Sequence, residues 1–311
     1  MISLSTIQSG IAQGLLWAIL TVGVYLTYRI LDFADLTIEG TFPLGAAVTV
    51  VLINKGINPF VATAIAIGAG LLAGLATGIL HTVFKIPAIL SGILTMIALY
   101  SVNIRVMSDK ATVAINNSSI KSIVTSLFPS GTTPNTVSIC VGLLVCLLIV
   151  VMLYLFFGTE LGCSIRAVGS NKNMSRALGI SSDLMTILCL MLSNGLIALS
   201  GSLIAQFDYG SALVNMGQGT IVIGLASVII GEVIFIHKDR SFAYKLTAVI
   251  IGAVIYRTII ACALTIKGLK ATDLKLITAI IVAIALAIPV FKSKVDLIRR
   301  KKENRRDKVN A

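Results

Sequence analysis

Nine apolar runs dominate this chain of 311 residues, near positions 10–28, 37–54, 61–80, 87–107, 137–157, 184–206, 219–236, 246–266 and 274–291. Each is about 18 residues or longer, enough for a helix to cross a hydrocarbon core of about 30 Å. No water reaches that core, so every backbone N–H and C=O must be paired within the protein, which leaves only helices and closed barrels. A barrel would show short segments of alternating polarity. The runs predict an all-α polytopic membrane protein with about eight to ten transmembrane helices. Composition agrees: 57% of residues are hydrophobic and 12% charged, where soluble domains average about 45–50% and about 25%.

The charges predict how the spans thread. Of 25 Lys and Arg, nine lie in the last 20 residues, 292–311, directly after an apolar run. Such a flank is retained in the cytoplasm and meets anionic lipid. Working back from it, the inner segments 29–36, 81–86, 158–183, 237–245 and 292–311 hold 17 Lys and Arg, and the outer segments and span edges hold 7. This predicts an outside N-terminus, a cytoplasmic C-terminus, a transmembrane domain over 1–294 and a basic tail over 295–311. The net charge of +12 does not point to nucleic acid, because no recognition module accompanies it. The N-terminal run lacks a basic leader and a small-residue cleavage site, so it reads as a retained span. The five cysteines form no C-x-x-C pair and four lie in apolar runs, as small packing residues rather than metal ligands or disulfide partners.

Two stretches do not fit simple spans. Residues 32–47 (DFADLTIEGTFPLGAA) and 207–220 (FDYGSALVNMGQGT) place charges, Gly and Pro at span entrances. Broken or re-entrant backbone is tolerated at membrane depth only where protein or a water-filled cavity satisfies it, and in transporters such breaks lie at the substrate path. One or two such segments are expected here, with ordinary polar loops as the alternative. The Ser/Thr/Asn-rich stretch 108–136 is the longest outer loop. Gly70, Gly74 and Gly78 recur every four residues and predict a close helix contact, as do the small residues Ser193, Gly195, Ala198 and Ser200–Ser202. Ionisable groups in spans are costly to bury and point to function. Glu39 and Asp208, with Asn194, Asn215 and Gln218, are candidates to line a polar translocation path. Glu232 and Arg257 are placed toward the inner halves of their spans, where they would pair.

Residues 158–183 (GTELGCSIRAVGSNKNMSRALGISSD) form a basic, Gly-punctuated cytoplasmic segment of helix-forming character. Three motifs in it, Thr159-Glu160-Leu161-Gly162, Ala167-Val168-Gly169-Ser170-Asn171 and Gly179-Ile180, resemble the cytoplasmic loop of permease subunits of ABC importers of the branched-chain amino-acid and ribose type. The likeness continues through Ser200-Gly201, Met216-Gly217-Gln218-Gly219 and Gly224-Leu225-Ala226, with an earlier match at Asp35–Gly40, and covers roughly residues 20–290. Gly231-Glu232 stands where many relatives carry two glycines. With the block at 216–226, this is similar to a branch linked to lipoprotein-delivered uptake of aromatic amino acids such as tryptophan and tyrosine.

The resemblance implies a homodimeric permease, two cytoplasmic P-loop ATPase subunits and an extracytoplasmic substrate-binding lipoprotein. In that reading the loop couples to the ATPase. Gly162 and Gly169 permit close approach, Arg166 and Arg176 offer forked donors to partner carboxylates, and Asn171 caps a following turn. No G-x-x-x-x-G-K-[ST] phosphate loop, H-E-x-x-H or G-x-S-x-G occurs in the sequence. The chain is therefore expected to be a non-enzymatic subunit without catalytic residues, metal or cofactor of its own, with ATP and Mg²⁺ used by the partner. An ion-gradient-driven secondary transporter and an ABC permease for a sugar or nucleoside remain the alternatives.

Overall fold

The computed structural model describes residues 4–127, 129, 133–235 and 241–263, with isolated positions 265, 276, 279, 280, 283 and 287. Most of the ninth apolar run, the basic tail and residues 237–240 of the inner segment 237–245, His237 among them, lie outside the described residues.

Eight of the nine runs are helices: α1 (Leu4–Tyr25), α2 (Ile38–Asn54), α3 (Pro59–Thr82), α4 (Ala88–Val106), α6 (Pro134–Gly158), α9 (Ser182–Ile204), α10 (Thr220–Phe235) and α11 (Phe242–Ala263). Between them lie the short helices α5 (Ile120–Leu127), α7 (Glu160–Ser170) and α8 (Lys172–Ala177). Among the described residues seven helical segments are long and apolar enough to cross a membrane, and α2, with 17 residues, falls just short. The chain is thus a multi-pass membrane protein. α1 and α9 each run on into a π-helical turn, Leu26–Ile30 and Ala205–Tyr209.

α1 is the central element, buried on nearly all sides from Leu15 to Leu26. Its backbone carbonyls accept bonds from neighbouring helices: Ser200 Oγ donates to Leu16 O at 2.9 Å and Ser193 Oγ to Gly23 O at 2.8 Å. With no water to compete, such bonds and close packing replace the hydrophobic drive between helices. α3 meets α9 along the predicted glycine face. A side chain at Gly74 would run into Leu190 O, and one at Gly70 would meet the Ala198 Cβ at 2.5 Å.

The two ends of the bundle are distinct. At the loop end, Lys85 pairs with Asp183 (3.2 Å) and Arg29 with Glu232 (2.8 Å). At the far end, β1 (Thr112–Ala114) pairs antiparallel with β2 (Ser211–Leu213), and the Asn54 side chain donates to Ala114 O and accepts from Asn116 N. The 108–136 stretch is therefore folded onto the bundle rather than being a simple connection. The expected Glu232–Arg257 pair does not form. Arg257 lies fifteen residues into α11, on its far half, with its guanidinium 3.6 Å from the Trp17 ring centroid and bonded to Tyr209, while Glu232 is held by Arg29. α11 runs away from the loop end, so residues late in it cannot reach Glu232 there.

Candidate functional site

Residues 31–37 enter the bundle without helical structure, because Asp35 supplies an alternative to helical hydrogen bonding. Its Oδ1 accepts from Thr37 N at 2.9 Å and its Oδ2 from Asn194 Nδ2 at 2.8 Å. Asn194 Oδ1 in turn accepts from Thr41 Oγ1 at 2.7 Å, and Thr37 Oγ1 meets Thr77 Oγ1 at 2.7 Å. Thr77 lies five residues before the end of α3, so the first turn of α2 begins about 8 Å inside the bundle.

The second broken segment descends to meet it. After Gly210 (φ +63°), β2 and a 3₁₀ turn (Val214–Gly217) lead to Gly219 (φ +83°), whose N–H donates to Glu39 Oε1 at 2.9 Å. A Cβ on Gly217 would strike Glu39 O, so the two segments are in backbone contact. α10 thus also starts inside the bundle, twelve residues or about 18 Å from Glu232 at the loop end.

Where the two breaks meet lies a cavity of about 310 Å³ between α2, α4 and residues 214–218. Glu39, Gly40 and Pro43 form one wall, Met96, Ile97, Tyr100 and Asn103 another, and Val214, Asn215 and Gln218 the third. Among the described residues Glu39 is the only charged one of the lining. Asn103 Nδ2 donates to Gly40 O at 3.1 Å, and its buried Oδ1 has no partner among the described residues. Asn215 and Gln218 are exposed beside exposed Ile97 and Tyr100.

Of the five residues expected along a path, Glu39, Asn215 and Gln218 come together here. Asn194 belongs to the closed network behind the cavity, fully buried and with its hydrogen-bonding groups engaged. Asp208 sits apart, accepting from Gln13 Nε2 at 3.0 Å near Arg257. The α4 wall was missed, although Met96, Tyr100 and Asn103 stand at i, i+4 and i+7, the spacing of one helical face.

The 158–183 segment folds as two short helices against the loop end. Thr159 caps α7, its Oγ1 accepting from Gly162 N, and Asn171 caps α8, its Oδ1 accepting from Met174 N at 3.0 Å. Ile165 and Val168 are buried, and Gly169 packs so tightly on the π turn of α1 that a Cβ would overlap Ile30 O. Gly162 is in the same relation to Phe156 O. Ala167 lies half-buried between these anchors, and Gly179 ends the unit with φ +81°.

Both arginine forks are engaged within the chain. Arg166 Nη2 donates to Phe157 O (2.9 Å), while Arg176 reaches Ser182 Oγ (2.6 Å) and Asp183 (3.0 Å). What points outward is Glu160, Leu161, Met174 and Leu178. Three large apolar side chains held in the open on and just after two short helices make a surface suited to a protein partner.

Helix breaks around a cavity that holds one carboxylate, together with an apolar-tipped loop at one end of a multi-pass bundle, fit a transport permease. The chain belongs to the family described as branched-chain amino acid transport system / permease component, which matches residues 6–287. It is thus an ABC transporter permease. It is similar to a tyrosine transport system permease protein of Clostridioides difficile (45% identical over 284 residues, 91% of each chain). It also resembles an uncharacterized protein of Rickettsia prowazekii (34% over 281 residues, 90% of this chain and 96% of that one). A third relative is an inner membrane ABC transporter permease protein of Escherichia coli (28% over 228 residues, 71% and 62%). No solved structure matches significantly.

Proposed function

We propose that the chain forms, with a second copy of itself, the membrane path of an ATP-driven importer for an amino acid, with an aromatic one such as tyrosine or tryptophan favoured. The observation that carries this is the 45% identity, sustained over 91% of both chains, with a tyrosine transport permease. The cavity fits the reading. Asn215, Gln218 and Glu39 lie on a face at membrane depth where lipid cannot satisfy them. A water-filled path shared with a second copy can.

Each copy supplies one α7–α8 unit, and two cytoplasmic P-loop ATPases would dock there on Leu161, Met174 and Leu178. An extracytoplasmic binding lipoprotein would deliver the solute to the far end, beside β1 and β2. The loop end and the basic tail 295–311 would face the cytoplasm and the N-terminus the outside, as the Lys and Arg distribution favours.

The test is purification of the tagged chain from its native membrane, identification of what accompanies it, and uptake by the reconstituted complex. Expected are a stoichiometric P-loop ATPase, released by Leu161→Glu with Leu178→Glu, and ATP-dependent uptake of labelled tyrosine or tryptophan. Uptake of a sugar instead, or uptake that survives ATP depletion and fails with a protonophore, would overturn the reading.

A further inference from the structure

We infer that the cavity between α2, α4 and residues 214–218 is a binding site for a primary ammonium group, held by Glu39 and Asn103. This rests on the amino-acid reading above and adds which part of the solute the membrane subunit itself recognises.

Among the described residues the lining holds one charged side chain, Glu39, and no Lys or Arg. One oxygen of that carboxylate is committed to Gly219 N, and among the described residues nothing donates to the other. Asn103 is independent of this. It is 1% exposed, and its amide orientation is fixed by the bond from Nδ2 to Gly40 O, since that carbonyl needs a donor. Oδ1 is therefore an acceptor, buried without a donor among the described residues, on a residue that lines the cavity. A buried unpaired acceptor is costly and calls for an explanation in each case. A ligand that brings donors explains it.

Two acceptors, one of them ionic, suit an –NH₃⁺ group, which offers three donors and no acceptor. They do not suit a carboxylate, which would meet Glu39 with like charge and Asn103 with a lone pair. The side-chain carbonyls of Asn215 or Gln218 offer a third acceptor at the open side. The rest of the wall is apolar: Met96 and a half-exposed Tyr100 present a thioether and an aromatic face, against which the ring of an aromatic amine can stack.

The test uses the purified membrane complex in lipid nanodiscs, with the binding protein left out. Binding is measured with radiolabelled tyramine, and L-tyrosine and 3-(4-hydroxyphenyl)propionate serve as competitors. Tyramine and tyrosine are expected to bind, and the deaminated acid to compete at least tenfold less well. Glu39→Gln keeps an oxygen for Gly219 N and removes only the charge, so it is expected to weaken tyramine binding at least tenfold with an unchanged melting temperature. Asn103→Ala is expected to weaken it as well.

Equal competition by the acid overturns the inference, as does tyramine binding unaffected by Glu39→Gln. The two readings fail separately. A Glu39→Gln complex that binds tyramine normally, while the parent imports tyrosine, sinks only the ammonium site. A parent complex that imports a sugar and no amino acid sinks the proposed function.

Discussion

The glycine face of α3 makes opposite predictions for two positions six residues apart on one helix. Gly74 faces α9: an added Cβ would run into Leu190 O, with Leu190 C at 2.7 Å and Met191 Cα at 2.8 Å, all backbone atoms that cannot rotate away. Gly68 has nothing within 4 Å of that point. Replacing either by Ala raises helix propensity by about 0.5–1 kcal/mol. At Gly68 that gain stands alone, so Gly68→Ala is expected to stabilise slightly. At Gly74 the Cβ needs a van der Waals distance, so α3 and α9 must separate by about 1 Å, at the overpacking cost of about 1–3 kcal/mol. The net effect of Gly74→Ala is a loss of about 0.5–2 kcal/mol. Because the propensity gain is common to both, the difference between the two variants isolates the clash at about 1–3 kcal/mol. Unfolding in lipid–detergent mixtures, followed for both variants in parallel, measures that difference. Two shifts equal in sign and size would refute the claim that backbone contact, rather than helix propensity, decides this interface.

Gly169→Ala, whose Cβ would overlap Ile30 O, is expected to lower uptake per ATP hydrolysed in the reconstituted complex more than it lowers ATP hydrolysis itself; proportional loss of both would count against α7 as the transmitting element. Asp35→Asn leaves either Thr37 N or Asn194 Nδ2 without its acceptor, and is expected to cost about 1–3 kcal/mol of stability in the same unfolding assay. Removing the Arg29–Glu232 pair by Arg29→Gln is expected to cost no more than about 1 kcal/mol, since the arginine side chain is 59% exposed. A much larger loss in a salt-dependent melting measurement would mean that the pair is shielded in the assembled complex.

Hydropathy placed eight helices because crossing a bilayer is a one-dimensional problem of length and polarity. It did not show where α2 and α10 begin, since their starts depend on contacts between segments far apart in sequence: Gly219 with Glu39, 180 residues away, and Asn194 with Asp35, 159 residues away. The charges and glycines at 32–47 and 207–220 marked the breaks, but not that they meet. The α4 wall was legible in principle from the spacing of Met96, Tyr100 and Asn103, and was hidden by treating an apolar run as uniform. The expectation that Asn171 caps a following turn agrees with its bond from Met174 N, whereas the cap at Thr159 was not read from the motif that contains it. The loop motifs could not reveal that both arginine forks are bonded within the chain, because Phe157 O and Ser182 become neighbours only once α7 and α8 fold back on the bundle.

The same contacts explain why the breaks are stable. A helix start buried in a membrane leaves backbone donors with no water to meet them. At α2 the donor is answered by Asp35 through Thr37 N, and at α10 by Glu39 through Gly219 N. Both acceptors are carboxylates, which make stronger bonds than neutral groups and favour the positive end of a helix. Asp35 has both oxygens engaged by the chain and is closed off. Glu39 has one engaged and stands in the wall of the cavity. Similar chemistry at two helix starts thus gives a structural lock at one and a partly open acceptor at the other. The difference lies in Asn194, which fills the second position at Asp35 and has no counterpart among the described residues at Glu39.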